Sequence, residues 1–115
     1  MSDIKKITDK IKKFCDDRDW MQFHDSKSMA ASIVIEAAEL LEHFQWGNRE
    51  EVQEYIKKNK NEVGEEIADI AIYLFELTDN LGLDLAKIME KKLKKNNKKY
   101  PVKRAKGKYT KYNKL

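Results

Sequence analysis

Apolar positions recur at helical spacing along most of the chain. Ile4, Ile7, Ile11 and Phe14 fall on one face and predict a first helix of about four turns, ending near Asp17 or Arg18. The period breaks over residues 19–25, where Trp20, Phe23 and His24 mix with polar side chains; an ordered loop is expected there, with Asp25 or Ser26 as the N-cap of the next helix. That helix should run over about 27–45 and stop at Gly47. Asn48 then caps a short helix reaching about Lys58. A fourth spans about 61–80, tolerates Gly64 and closes at Leu81-Gly82-Leu83, and Asp84 caps a fifth that continues to about Asn97. Beyond Tyr100-Pro101 the periodicity fades, so residues 102–115 are expected to be extended or partly disordered unless a partner or ligand orders them. The pattern predicts an all-α fold, an antiparallel bundle of four to five helices.

Two of these helices carry matching acids, Glu36-x-x-Glu39 and Glu66-x-x-Asp69. On a helical wheel each pair lies within roughly 60° of itself and borders an apolar stripe: Ile33, Ala37, Leu40 and Phe44 beside the first, Val63, Ile70, Leu74 and Leu77 beside the second. If the stripes pack together, the four carboxylates converge along one edge, where like charges repel unless a cation offsets them. Oxygen-only ligation suits a hard ion, Mg²⁺ first. Glu62, one turn before Glu66, would join as a ligand or a supporting group. Solvated edge charges are the competing reading. A di-iron carboxylate bundle wants Glu-x-x-His, and here the residues three after Glu39 and Glu66 are Glu42 and Asp69. His43, four after Glu39, reads as structural or exposed.

Composition narrows the classes. At 115 residues the chain is expected to be one domain with a modest core, and 41% hydrophobic with 38% charged residues, four Gly and one Pro leave little room for a β-rich fold. No apolar run approaches the roughly 20 residues of a membrane span, and residues 1–5 carry no signal-peptide core, so a cytoplasmic protein with no membrane partner is expected. A single cysteine, Cys15 beside Phe14, excludes an internal disulfide and reads as a buried structural thiol. The net charge of +4 conceals a division: residues 1–86 hold 11 basic and 19 acidic side chains, residues 87–115 hold 13 basic and one acidic. Such a basic end suits nucleic acid, anionic lipid or a phosphorylated small molecule. The expected organisation is a helical domain over residues 1–100 and a basic tail over 101–115.

Other candidate groups lie around the acids. Trp20, Phe23, His24 and Trp46 sit just outside the ends of the carboxylate helices, where flat rings either sandwich a nucleobase or plug the bundle. Tyr73 follows Asp69 by one turn, placed to meet a sugar or phosphate or to border the core. Lys92, Asn96 and Tyr100-Pro101 present donors suited to a polyphosphate, against the alternative of a solvated lysine-rich face. With no Walker loop, G-x-G-x-x-G, zinc cluster or Ser-His-Asp grouping, phosphate chemistry here would work through metal.

Arg18-Asp19-Trp20-x-Gln22-Phe23-His24, Glu36-x-x-Glu39, Phe44-Gln45-Trp46, Glu65-Glu66-x-x-Asp69-x-x-x-Tyr73-Leu74, Lys92-x-x-x-Asn96-x-x-x-Tyr100-Pro101 and Lys108-Tyr109 occur in this order. Together they resemble the MazG-like, all-α nucleoside triphosphate pyrophosphohydrolases, with the dCTP pyrophosphatase branch nearest. The resemblance covers about residues 14–110 and is weak over 48–61. It implies that Glu36, Glu39, Glu66 and Asp69 bind Mg²⁺, with Mn²⁺ as a substitute, and that a nucleoside triphosphate is hydrolysed to the monophosphate and pyrophosphate, clearing the nucleotide pool. It further implies that Trp20, His24 and Trp46 enclose the base, Tyr73 lines the sugar region, and Lys92, Asn96 and Tyr100 bind phosphates. Lys108 and Tyr109 would fold over the nucleotide, and the chain would assemble as a homodimer or homotetramer. The alternative is a helical nucleic-acid-binding or regulatory module in which the basic segment grips phosphate backbones and the acids are structural.

Overall fold

The computed structural model describes residues 2–115. Among them are six α-helices and two single 3-10 turns, with no strand: α1 Asp3–Asp17, a 3-10 turn at Met21–Phe23, α2 Ser26–Glu42, α3 Arg49–Lys58, α4 Lys60–Asn80, α5 Leu85–Lys99, α6 Val102–Ala105 and a 3-10 turn at Tyr112–Lys114. The chain forms two compact units, Met1–Gly82 and Leu83–Leu115. This division precedes the 100/101 boundary read from the sequence. It falls where Gly82 takes a left-handed φ of 70°, a conformation that suits glycine after a helix.

In the first unit α2 packs most extensively on α4, and α1 and α3 also lie against α4. The two long helices run antiparallel: His24, just before α2, reaches Glu76 and Asn80 near the end of α4, while Glu36 and Glu39 meet Glu66 nearer its start. Local chemistry fixes the starts. Ser2 Oγ accepts from Lys5 N at 3.2 Å, Asp25 Oδ1 accepts from Ser28 N at 2.8 Å, and Asn48 and Glu51 form a reciprocal capping box at 2.9 and 3.3 Å.

The end of α2 differs from expectation. The helix stops at Glu42, and residues 43–46 tighten into turns in which the His43, Phe44 and Gln45 N–H groups bond three residues back, as in Phe44 N to Leu41 O at 2.9 Å. The cause is lateral: His43 Nδ1 pairs with Tyr55 Oη of α3 at 2.6 Å, and Phe44 meets the same ring edge-on at 6.3 Å. Gly47 still marks the exit, since a Cβ there would stand 3.3 Å from Val52 Cγ2.

Fully buried side chains are few. Ile11, Cys15, Met29 and Val63 form the apolar centre, with Thr8, Glu76 and Thr78 buried beside them. Thr8 and Thr78 satisfy their hydroxyls on the carbonyls of Ile4 and Leu74, each at 2.7 Å. The predicted stripe of α1 is divided: Ile11 is buried, but Ile7 and Phe14 are about half exposed because they line an open cavity. Val34, Ile35 and Leu41 of α2 and Ile67 of α4 are all more than half exposed on the far side of these helices.

In the second unit Asp84 caps α5 through Lys87 N at 3.1 Å. The segment expected to be extended carries α6 and a 3-10 turn instead. Local contacts account for the order: Tyr112 packs edge-on against Tyr100 at 6.1 Å, Lys99 Nζ lies 4.7 Å from the Tyr112 ring, and Arg104 donates to Leu115 O at 3.0 Å. No described helix is long and apolar enough to cross a membrane.

Candidate active site

Glu36 and Glu39 on α2 and Glu66 on α4 bring one carboxylate oxygen each to within 4.8 Å of one another. All three side chains are partly buried, and the Oε2 atoms of Glu36 and Glu66 are buried without any hydrogen-bond partner. Burial first, then the hydrogen bond and charge of Glu39 and the charges of Asp69 and Glu66, push the Glu36 carboxyl up to about 7. Glu66 is raised as well, by burial and then by Glu39. Three acids that hinder one another's ionisation, with two orphaned oxygens, form a donor set that fits a hard cation. Asp69 stands outside this trio and is exposed, yet its charge acts on Glu36 and it lines the same cavity.

That cavity, about 570 Å³, opens from Glu36 and Asp69 past Tyr73 to an aromatic wall of Phe14 and Trp20, with His24 and Glu76 at its side. Its size falls within the range of small-molecule sites. Trp20 meets Phe14 edge-on at 5.6 Å and is tilted by 58° to His24 at 6.3 Å. Arg18, its guanidinium 3.8 Å from the Phe14 ring centre, steadies that wall. Burial, then Glu36 and Asp69, raise the Tyr73 phenol, so it remains a hydrogen-bond donor.

Side chains that the sequence reading left aside also line the cavity. Glu76 is 4% exposed, and its Oε1 lies 2.6 Å from His24 Nδ1. Cys15 Sγ approaches both, the potential ligand atoms of the three lying within 4.8 Å. Burial, followed by the neighbouring Glu76 carboxylate, pushes the thiol up to about 11, and Cys15 is buried as expected. Lys10 supplies a cation at the rim. A signal for Glu76 was present: Glu66, Asp69, Tyr73 and Glu76 follow at intervals of three, four and three residues, one continuous ridge of α4.

The remaining sequence candidates lie elsewhere. Trp46, in the turns after α2, is 88% exposed and does not line the cavity. His43 is structural, as read. Lys92 and Asn96 belong to α5 and Tyr100 to its C-cap, all in the second unit. Lys99 foremost, then burial and Lys95, lower the Lys92 ammonium below its usual range, the mark of crowded cations on one helix face.

Comparison with known proteins gives the chain a family. Residues 31–115 match the model of the MazG-like family. The whole chain aligns with "dCTP pyrophosphatase 1" of Bos taurus at 33% identity and of Rattus norvegicus at 32%, covering 68% and 67% of those proteins. A solved pyrophosphatase from Archaeoglobus fulgidus superposes with a TM-score of 0.84 and 40% identity over 88% of this chain and 94% of that one. With the family model over most of its length and these full-length relatives in accord, the chain belongs to the MazG-like family, with a nucleotide pyrophosphohydrolase fold and activity class.

Proposed function

We propose that the protein is a Mg²⁺-dependent nucleoside triphosphate pyrophosphohydrolase acting on dCTP or a modified dCTP. The observation that carries this reading is the pair of orphaned carboxylate oxygens, one from each long helix, beside a cavity that also holds an aromatic wall. Glu36, Glu39 and Glu66 would hold the cation, and Asp69 would complete the set. Mn²⁺ offers similar oxygen chemistry. When bound, such a cation would supply charge neutralisation for the polyphosphate and Lewis acidity toward the attacking water. Water adds to the α-phosphorus, the bond from that phosphorus to the bridging oxygen breaks, and pyrophosphate leaves the nucleoside monophosphate. Trp20 and Phe14 offer ring surface for the base, and Tyr73 offers a hydroxyl to the sugar. Lys92, Asn96 and Tyr100 are carried over from the family resemblance as phosphate-binding residues, within a catalytic region of residues 1–100 and a tail of 101–115.

The same reading includes self-association as a homodimer or homotetramer. On α2, Val34, Ala38 and Leu41, and on α4, Gly64 and Ile67, are exposed to solvent, and a Cβ on Gly64 would meet nothing in its own chain. A second copy would cover these stripes, in a dimer or a dimer of dimers, and would shield Trp46. The cytoplasm, where nucleotide pools and Mg²⁺ coexist, is the proposed setting, and clearance of unwanted nucleotides the role.

Pyrophosphate release from a panel of dNTPs, NTPs and 5-modified dCTPs, with Mg²⁺ and with EDTA, tests this. Metal-dependent turnover led by dCTP or its analogues is expected. Absence of turnover on every substrate would overturn the assignment and leave the nucleic-acid-binding module as the reading to test.

A further inference from the structure

We infer that Glu76 selects the base: its carboxylate, held by His24 at the side of the cavity, accepts a hydrogen bond from the exocyclic amino group of a cytosine ring. The inference rests on the nucleotide reading above and adds the residue that discriminates among nucleotides.

Glu76 is among the most buried side chains of the molecule, at 4% exposure, with Cys15 and Ile11 close to it in the cavity wall. A carboxylate there is costly unless it is hydrogen-bonded, and replacing a buried polar pair by well-packed apolar side chains of similar size is often neutral or stabilising. Structural need therefore does not account for it. A carboxylate has about four acceptor positions. His24 Nδ1 occupies one at 2.6 Å, and Cys15, a protonated thiol within 4.8 Å, is at most a weak second donor. Acceptor capacity remains on a group that lines the cavity.

Position fits the role. On the α4 ridge Asp69 stands beside the cation-binding acids, Tyr73 follows one turn later, and Glu76 comes last. Asp69 and Glu76 are separated by roughly 10 Å along the helix axis. The order of acid, phenol and acid parallels phosphate, sugar and base. Trp20, 42% exposed beside His24, retains ring surface on which a base held by Glu76 would stack. Cytosine turns its 4-amino donor toward such an acceptor, whereas uracil and thymine carry a carbonyl at that place and would set lone pair against carboxylate.

The test uses the full chain and compares kcat/KM for dCTP, dTTP and the triphosphate of 2-pyrimidinone deoxyriboside, which is the cytosine nucleotide without its amino group. The unaltered protein should favour dCTP over the analogue by about a hundredfold or more, since a site built for a hydrogen bond rejects the partner that lacks it. Glu76→Ala and Glu76→Gln should reduce the dCTP to dTTP ratio by about tenfold or more, chiefly through KM for dCTP. Equal turnover of dCTP and the analogue by the unaltered protein would overturn the inference without recourse to any variant, so a folding defect in Glu76→Ala could not obscure the result. Variants that slow every nucleotide by the same factor would overturn it as well. Turnover with unaltered ratios removes only this inference, while absence of all turnover removes the nucleotide reading beneath it.

Discussion

Glu36 of α2 and Glu66 of α4 each keep one carboxylate oxygen buried and unpartnered at the contact between the two longest helices. Helix packing that buries Ile33-side and Val63-side stripes therefore forces together groups that oppose one another. The raised Glu36 and Glu66 carboxyls express that conflict. A fold does not gain stability from such an arrangement, but a cation bound there relieves it.

Mg²⁺ should accordingly stabilise the protein. At a concentration tenfold above Kd, binding adds about 1.4 kcal/mol, several degrees in Tm for a chain of this size. Glu36→Gln and Glu66→Gln should remove most of that increment and abolish pyrophosphate release while helix content by circular dichroism stays intact. Near-normal turnover in either variant would refute the assignment of the acids.

Without metal, stability should fall as pH rises. Glu36 has an ordinary value of 4.5 and is pushed to about 7 in the folded chain. Below the lower value both states are protonated. Between the two the folded state retains a proton that the unfolded state has released, so each step upward in pH favours unfolding, and above the upper value the loss is complete. Glu66 adds a contribution of the same sign. In EDTA, the Tm difference between the unaltered protein and Glu36→Gln should therefore change between about pH 4.5 and pH 7, with the unaltered chain losing ground at the higher pH. Mg²⁺ should restore more stability at the higher pH, because the ion needs the deprotonated carboxylates. A difference that does not vary with pH would show that Glu36 titrates normally.

Much of this was legible in the sequence, because helix starts and acid pairs are local signals. Asp25, Asn48 and Asp84 are caps that a reader can find, and the Glu36 and Glu66 motifs announce their faces through spacing alone. The early end of α2 was not legible. It depends on Tyr55, twelve residues beyond His43 and on another helix. The order in residues 102–115 likewise depends on Tyr100 meeting Tyr112, a contact invisible to periodicity. Phe14 shares the helical face of Ile4, Ile7 and Ile11, yet it lines a cavity, since spacing gives a face and not what lies opposite. The burial of Glu76 is not legible either, because a lone acid on a helix is ordinarily solvated and only its neighbours His24 and Cys15 reveal it.

Tyr55 should therefore anchor the turn that carries Trp46. Tyr55→Phe removes the hydroxyl that meets His43 Nδ1 at 2.6 Å and leaves the ring contacts in place. A loss of about 1 kcal/mol is expected in urea unfolding, the usual size for one hydrogen bond. An unchanged midpoint would mean that the pair is not formed in solution.

The outer stripes of α2 and α4 give the last expectation. Val34 is 67% exposed, Leu41 63% and Ile67 53%, on two helices whose other faces already carry the core. An amphipathic helix has one apolar stripe, and a helix with two requires two covers. Water is a poor second cover: fully burying one such side chain contributes about 1.5–3 kcal/mol. Light scattering should thus give a mass above the 13.6 kDa of one chain. Val34→Glu and Leu41→Glu, placing charge on the stripe, should shift the protein toward that single-chain mass without disturbing the carboxylate trio on the other side. If the unaltered protein is a monomer at tens of micromolar, the stripes do not mediate self-association. If the variants lose both mass and turnover, assembly contributes to the site, and the exposed Trp46 is the first side chain whose burial should then be measured, by fluorescence, on going from monomer to oligomer.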